Sequence, residues 1–301
     1  MRAVKLFLIN FLLRISGSLS LRAAQRVGRS LGWLLWKIPT QARDVTDINL
    51  AICFPEKTQD QRDQLAKTSL QQTGMTIMEI PLMWEWPVAD CLNLIQTVEG
   101  EELIREAQAD GRGLILLAPH LGNWELAGLY FSSRYKMAAL YSPPNMAEFE
   151  DYMIKVRGRL GSELVRGDRR GLARLASILR EGGIAGILPD QSPRGKGNAF
   201  APFFGMDVKT MTLVSKLMQR TGARALMTYA ERLPDGQGFR LVIRETLPGL
   251  DDKDPVAATT ALNGSVEQCV RALPEQYQWE YKRMRHRPPG IENPYKPGQI
   301  C

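Results

Sequence analysis

His120 and Glu125 stand five residues apart in Ala118-Pro-His-Leu-Gly-Asn-Trp-Glu125, and His120 is one of only 2 histidines in the chain. An imidazole steadied at one nitrogen by a carboxylate keeps its other nitrogen free as a general base near neutral pH. On a continuous helix, five residues turn through about 500°, so the two side chains would diverge. They can meet only if His120 lies before the helix. Pro119 and Gly122 supply a turn there, and Asn123 suits the N-cap of a helix opening at Leu126-Ala-Gly-Leu-Tyr-Phe131. Taken alone, a histidine beside a glutamate is most often a hydrogen-bonded pair without chemistry. Its place raises this one: it ends the apolar run Gly113-Leu-Ile-Leu-Leu-Ala-Pro119, which reads as a buried strand. Open α/β sheets build their sites at the carboxyl ends of strands. His286, in Arg283-Met-Arg-His-Arg287, has no such setting and reads as part of a solvated basic face.

A second group follows the apolar run Gly183-Ile-Ala-Gly-Ile-Leu188. It is Pro189-Asp-Gln-Ser-Pro-Arg-Gly-Lys-Gly197, so Asp190 and Gln191 share a rim with His120 if the two strands are parallel. Arg194 and Lys196, flanked by glycine, suit a phosphate or a phosphopantetheine arm; an exposed turn is the plainer alternative. The loop is neither a Walker A loop nor a dinucleotide fingerprint, which leaves nucleotide binding without support. Arg157, Arg159, Arg166, Arg169, Arg170 and Arg174 form a basic belt, and such runs are usually solvated faces. Arg157 and Arg159, at a helix end close to the next strand, are placed to grip substrate phosphate or a developing oxyanion. Phe200-Ala-Pro-Phe-Phe-Gly205 reads as an apolar loop that walls an acyl channel or, more simply, covers the core.

The elements that must position these groups begin at Gly113, where strand and helix patterns alternate. Strands are predicted at Leu114–Ala118, Met137–Tyr141, Glu163–Val165, Gly183–Leu188 and Arg224–Ala230, the last turning through Pro234–Gly238 into Phe239–Arg244. Helices are predicted at Phe149–Leu160, Leu172–Arg180, Leu213–Arg220 and Ala257–Leu273. This alternation predicts an α/β fold with a mainly parallel central sheet flanked by helices and an antiparallel edge. Residues 41–110 read as helical, one pattern running from Thr58 through Thr68–Ile80 and stopping at Pro81.

The chain has 301 residues, 44% hydrophobic and 24% charged, the composition of an ordinary globular protein with an ample core. Its 4 cysteines are scattered without metal-ligand spacing, so they read as reduced thiols and no metal site is predicted. A net charge of +7 suits anionic lipid, an acidic protein or nucleic acid. Residues 1–40 form an anchor-like helical region. Val4–Leu13 is apolar but short for a span, and Arg14 interrupts it. Arg22, Arg26 and Arg29 share one helical face, and Leu31, Trp33, Leu34, Leu35 and Trp36 follow. Basic residues beside a Trp-rich apolar stretch suit a membrane interface; a helical subdomain packed on the main body is the alternative. If the first segment spans, the arginines after it favour a cytoplasmic body.

These pieces together resemble a known family. The box Ala118-Pro-His-Leu-Gly-Asn-Trp-Glu125 is similar to the H-x-x-x-x-D/E element of glycerolipid-type acyltransferases, and in its Asn-Trp-Glu form to the late acyltransferases of bacterial lipid A biosynthesis. Asn49-Leu-Ala-Ile-Cys-Phe-Pro55, Arg159-Leu-Gly-Ser-Glu-Leu-Val165, Leu188-Pro-Asp-Gln191 with Pro202-Phe-Phe-Gly205, and Glu275-Gln-Tyr-Gln-Trp279 with Arg287-Pro288 resemble further elements of that family, in order. Glu280 departs from it, since many members carry His or another residue there. The resemblance implies that residues 41–301 are an acyltransferase domain at the cytoplasmic face of the inner membrane. It implies transfer of a fatty acyl group from acyl carrier protein, or acyl-CoA, to a hydroxyl of an acylated, phosphorylated glucosamine disaccharide, with no metal or redox cofactor. His120 would be the base and Glu125 its orienting partner. Arg159, Arg157, Asp190, Gln191, Asn123, Arg194 and Lys196 would serve substrate binding, Arg159 first as oxyanion donor or phosphate grip. No Ser or Cys stands in a nucleophile elbow, so direct attack without an acyl-enzyme is expected. A lysophospholipid or mannosylated glycolipid is the rival acceptor. A non-enzymatic basic protein of a membrane surface or nucleic acid explains the charge but not the rim, and the belt lacks stacking aromatics for nucleic acid.

Overall fold

The computed structural model describes residues 13, 15–144, 147–193, 195 and 197–295. Three helices come first, each opened by a hydroxyl that accepts a backbone N–H of the first turn: α1 (Leu21–Lys37) by Ser20, α2 (Gln41–Cys53) by Thr40, and α3 (Gln59–Glu85) by Thr58. At α3 the Gln61 side chain reaches back to the Thr58 N–H and completes a capping box. A short α4 (Val88–Leu92), β1 (Ile95–Glu99) and α5 (Glu101–Ala109) lead into the alternating part. There β2 (Leu114–Leu117), α6 (Trp124–Ser132), β3 (Met137–Tyr141), α7 (Ala147–Arg157), β4 (Glu163–Arg166), α8 (Arg169–Arg180) and β5 (Ile184–Ile187) follow. The hairpin β6 (Asn198–Phe203) and β7 (Met206–Met211), then α9 (Leu213–Thr221), β8 (Arg224–Arg232), β9 (Phe239–Glu245) and α10 (Pro255–Ala272), complete the described elements.

Seven strands form one sheet in the order β1-β9-β8-β2-β5-β3-β4. β8, β2, β5, β3 and β4 run parallel, and β9 returns antiparallel to β8, as the sequence predicts. β2 and β5 are direct neighbours, with Leu114 opposite Ile184 and Leu117 opposite Ile187. Both are buried along their whole length, as a parallel sheet covered on both faces requires. Successive side chains of β2 point to opposite faces. Ile115 and Leu117 join a core with Leu175, Leu217, Val266 and Trp279; Leu114 and Leu116 join one with Leu82, Leu126, Leu226 and Phe239.

Two local expectations are corrected. α3 does not stop at Pro81 but continues to Glu85. An interior proline costs about 3 kcal/mol, and burial of Leu82, Met83 and Trp84 offsets it. Residues 200–205 are not a loop: they lie in the β6–β7 hairpin, whose turn takes Phe204 and Gly205 to φ of 48° and 74°. Phe203 and Phe204 are buried, in agreement with the core-covering reading.

Among the described residues no helix is long and apolar enough to cross a membrane. Residues 4–12 of the apolar amino-terminal segment lie outside the described residues. α1 packs along α3 backbone to backbone: a Cβ on Gly74 would lie 2.1 Å from the Gly28 carbonyl oxygen, and one on Gly32 2.1 Å from that of Leu70. The opposite side of α1 exposes Val27, Leu31, Trp33 and Leu34, followed by Ile38.

Candidate active site

His120 sits where the sequence places it, between the end of β2 and the start of α6. The turn that carries it is held from several directions. Gly122 has φ of 62° and a Cβ there would lie 2.1 Å from the Ala230 carbonyl oxygen, so only glycine fits. Its N–H donates to the Gln276 carbonyl at 3.1 Å, and the Asn123 N–H donates to that of Ala230 at 2.8 Å. Gln278 N–H closes on the His120 carbonyl at 3.1 Å.

The carboxylate beside the imidazole is Asp190. Its Oδ1 lies 2.9 Å from His120 Nδ1, and its Oδ2 accepts the His120 backbone N–H at 2.9 Å. The adjacency of β2 and β5 brings them together across 70 residues of sequence. Facing a carboxylate, Nδ1 must be the protonated nitrogen of a neutral ring, which leaves a lone pair on Nε2. Nε2 faces the Gln191 side-chain amide at 3.2 Å, and that amide also reaches Gln278 Oε1 at 3.4 Å. Trp124 packs edge-on against the ring, centroids 4.9 Å apart. The Asp190 side chain is 2% exposed and that of His120 13%, so the pair is shielded but reachable. Burial pushes the Asp190 carboxyl up, but the charge of a protonated His120 and its ring and backbone hydrogen bonds outweigh burial and hold it low. Burial and the adjacent Asp190 push the Tyr277 hydroxyl well above its ordinary value.

Glu125 is not the carboxylate beside the imidazole. The helical turn after Asn123 carries its side chain away from His120, to Arg157 and Trp84. Arg157 Nε donates to Glu125 Oε2 at 3.0 Å, Nη2 donates to Oε1, and the Trp84 indole N–H donates to Oε2 at 3.0 Å. Burial acts to raise the Glu125 carboxyl, but the Arg157 guanidinium and hydrogen bonds from Arg157, Trp84 and Trp124 hold it below its ordinary value. Glu125 therefore bears on His120 at one remove, through Trp124.

The other expected substrate contacts divide. Gln191 is beside Nε2. Arg159 is committed elsewhere: it donates to the carbonyls of Met83, Trp84 and Trp86 at 2.8, 3.2 and 2.7 Å, capping the carboxyl end of α3. Asn123 is fully buried; its Oδ1 accepts the Leu126 N–H as N-cap of α6, and its Nδ2 donates to Glu79 at 3.1 Å. Arg194 and Lys196 lie outside the described residues. Within the belt, Arg166 pairs with the buried Glu150, and Arg174 with the half-buried Glu163. Two further side chains join the site, Gln278 and the half-buried Glu280. Glu280 accepts from Thr73 at 3.1 Å, and burial pushes its carboxyl up. Both lie in the Glu275–Glu280 stretch, which the sequence marks as a motif without assigning it a role. Among the described residues no group of three or more His, Cys, Asp or Glu could hold a metal ion.

The lowered Asp190 and Glu125 values set a pH dependence of stability. A carboxyl whose folded pKa lies below its unfolded one stabilises the fold fully above the unfolded value, and the contribution is lost as pH falls through the folded one. Urea midpoints of the full chain should fall below roughly pH 4, and less steeply in Asp190→Asn and Glu125→Gln. Identical slopes in all three proteins would contradict this.

A mainly parallel sheet that delivers a His–Asp pair to the carboxyl ends of two adjacent strands is the architecture of an α/β enzyme. Comparison with known proteins gives the kind. The family described as bacterial lipid A biosynthesis acyltransferase matches residues 1–286. The chain is 29% identical to the lipid A biosynthesis lauroyltransferase of Escherichia coli K12, over 90% of this chain and 88% of that one. It is 29% identical to that organism's lipid A biosynthesis myristoyltransferase, over 90% and 82% of the two chains. With the palmitoleoyltransferase it shares 27%, over 89% and 87%. The chain belongs to the bacterial lipid A biosynthesis acyltransferase family.

Proposed function

We propose that this protein transfers a fatty acyl group from an acyl carrier protein thioester to a hydroxyl of an acylated glucosamine disaccharide, a lipid A precursor. His120 is the general base, and Asp190, not Glu125, orients it. Nε2 takes the proton of the acceptor hydroxyl as its oxygen attacks the thioester carbonyl. The tetrahedral intermediate collapses, the C–S bond breaks, and the imidazolium returns its proton to the departing thiolate. Asp190 fixes the ring and stabilises the imidazolium while it exists. With Arg159 committed to α3, the Gln191 amide is the donor best placed for the developing oxyanion. The observation that carries this reading is the His120–Asp190 contact on adjacent strand ends, with Nε2 facing the Gln191 side-chain amide.

The amino-terminal helix fits work at a membrane surface. Its exposed Leu31, Trp33 and Leu34 lie beside exposed Arg22, Arg26, Arg29 and Lys37. Lys37 Nζ stands 4.7 Å from the Trp36 ring. An apolar and Trp-bearing face edged by cations seats at the boundary of an anionic bilayer; the inner membrane, catalytic body to the cytoplasm, is the proposed place. The net charge of +7 also suits an acidic carrier protein. The test is mass spectrometry of a tetra-acylated lipid A precursor incubated with the protein and mixed acyl carrier protein thioesters. One added acyl mass, absent with His120→Ala, is the expected result. Acylation of a lysophospholipid or mannolipid alone would overturn the acceptor, and a mass gain that survives His120→Ala would overturn the mechanism.

A further inference from the structure

We propose that a basic cleft between β7 and residues 285–293 binds a phosphate monoester on the headgroup of the acceptor. Its volume is about 540 Å³, and its lining includes Lys209, Arg285, His286, Arg287 and Glu292, with Phe200 and Ile291 as apolar walls. The decisive group is Arg287. Its Nε and Nη1 are buried and have no hydrogen-bond partner. Buried donors of a charged group are costly when left open. Open N–H donors on a charged guanidinium favour an anionic acceptor such as a phosphate oxygen. Arg285 is exposed and Lys209 half-buried, which lets both complete the neutralisation of a dianion. Burial, then the Arg285 and Lys209 charges, push His286 below its ordinary value, so at neutral pH it offers a ring nitrogen rather than a charge.

The cleft is tied to the catalytic loop. The Lys209 N–H donates to the His286 carbonyl at 3.3 Å. Buried Arg283 donates to the Lys209 carbonyl at 2.7 Å and to Ser192 Oγ at 3.4 Å, and the Ser192 N–H donates to Tyr281 Oη at 3.0 Å. Ser192 is two residues beyond Asp190. A cleft lined by both cations and the apolar Phe200 and Ile291 suits a phosphorylated sugar ring. The phosphodiester of a pantetheine arm, with a single charge, would leave more of these donors open.

The identity of the headgroup rests on the acyltransferase reading, but the site can be tested without turnover. Calorimetry on the full chain should show saturable binding of glucosamine 1-phosphate, weaker binding of inorganic phosphate and none of glucosamine. Arg287→Gln and the exposed Arg285→Gln should each weaken sugar-phosphate binding about tenfold, the factor expected for a lost charge-assisted contact. No saturable binding, or equal binding by wild type and the exposed-site variant, would overturn the site. In transfer assays Arg285→Gln should raise KM for the phosphorylated acceptor about tenfold, with kcat and the donor KM unchanged. A rise in the donor KM instead would overturn the assignment to the acceptor. Binding without any acyl transfer would defeat the acyltransferase reading and leave the cleft standing; transfer without binding would do the reverse.

Discussion

Asp190→Asn lowers kcat by roughly 10³- to 10⁴-fold, close to the loss in His120→Ala, while Glu125→Gln falls far less. The reason is the contact at Nδ1. An asparagine that turns its amide N–H to the imidazole favours the tautomer with the proton on Nε2, and the base then has no lone pair for the acceptor hydroxyl. Both effects belong to kcat, since neither side chain is placed to bind substrate in the ground state. Glu125 reaches His120 only through Trp124, and its carboxylate is spent on Arg157 and Trp84. Its loss leaves Arg157 half paired, so Glu125→Gln should show in the urea midpoint more than in kcat. Steady-state kinetics of the three variants decides the order. A Glu125→Gln defect equal to that of His120→Ala, with Asp190→Asn near wild type, would restore the pairing that local spacing suggests.

The second large effect is on stability. Glu79 and Arg232 are a fully buried ion pair, the side chains 0% and 2% exposed. Arg232 Nε donates to Glu79 Oε1 at 2.6 Å, and its Nη1 and Nη2 also reach Gln72 and Thr76. The same carboxylate accepts from Gln25 of α1 at 2.8 Å and from Asn123 at 3.1 Å. One group thus joins the surface helix, the long helix, the central sheet and the cap of the catalytic helix. Removing one partner of such a pair leaves an uncompensated buried charge and costs about 3–5 kcal/mol. Glu79→Ala should lose that much in urea unfolding. Glu79→Leu combined with Arg232→Met should recover much of it, because the cost lies in the orphaned charge. A loss under about 1 kcal/mol in Glu79→Ala would mean that water reaches the pair.

The legible parts of the fold were those whose signal is local. The runs at Leu114, Met137, Ile184 and Arg224 are buried strands with apolar side chains toward both faces, and their positions were readable to within a residue or two. β1 was not: Ile95-Gln-Thr-Val-Glu99 is a half-exposed edge strand without an apolar run. The β6–β7 hairpin was hidden because Pro202 sits inside β6 and the turn is Phe204-Gly205 rather than an Asn-Gly type. For the site, the rim was legible and the pairing was not. His120 and Asp190 were each visible at a strand end, but which carboxylate meets the imidazole depends on β2 lying next to β5. The contacts of Arg159 are hidden for a related reason. Pro81 reads as a helix stop, so the sequence does not show that the helix continues to the carbonyls of Met83, Trp84 and Trp86 that Arg159 caps. The Glu79–Arg232 pair, 153 residues apart, leaves no trace in the sequence.

The central claim is that Asp190 holds the proton on Nδ1 of His120 and leaves Nε2 as the base. Long-range proton–nitrogen NMR of the labelled protein reads this directly, because only 2 histidines contribute and His120→Ala assigns them. The account predicts a neutral-ring His120 signal with a protonated Nδ1 and a bare Nε2, altered by Asp190→Asn and unmoved by Glu125→Gln. A proton on Nε2 in the wild type, or a tautomer that follows Glu125 and ignores Asp190, would contradict it.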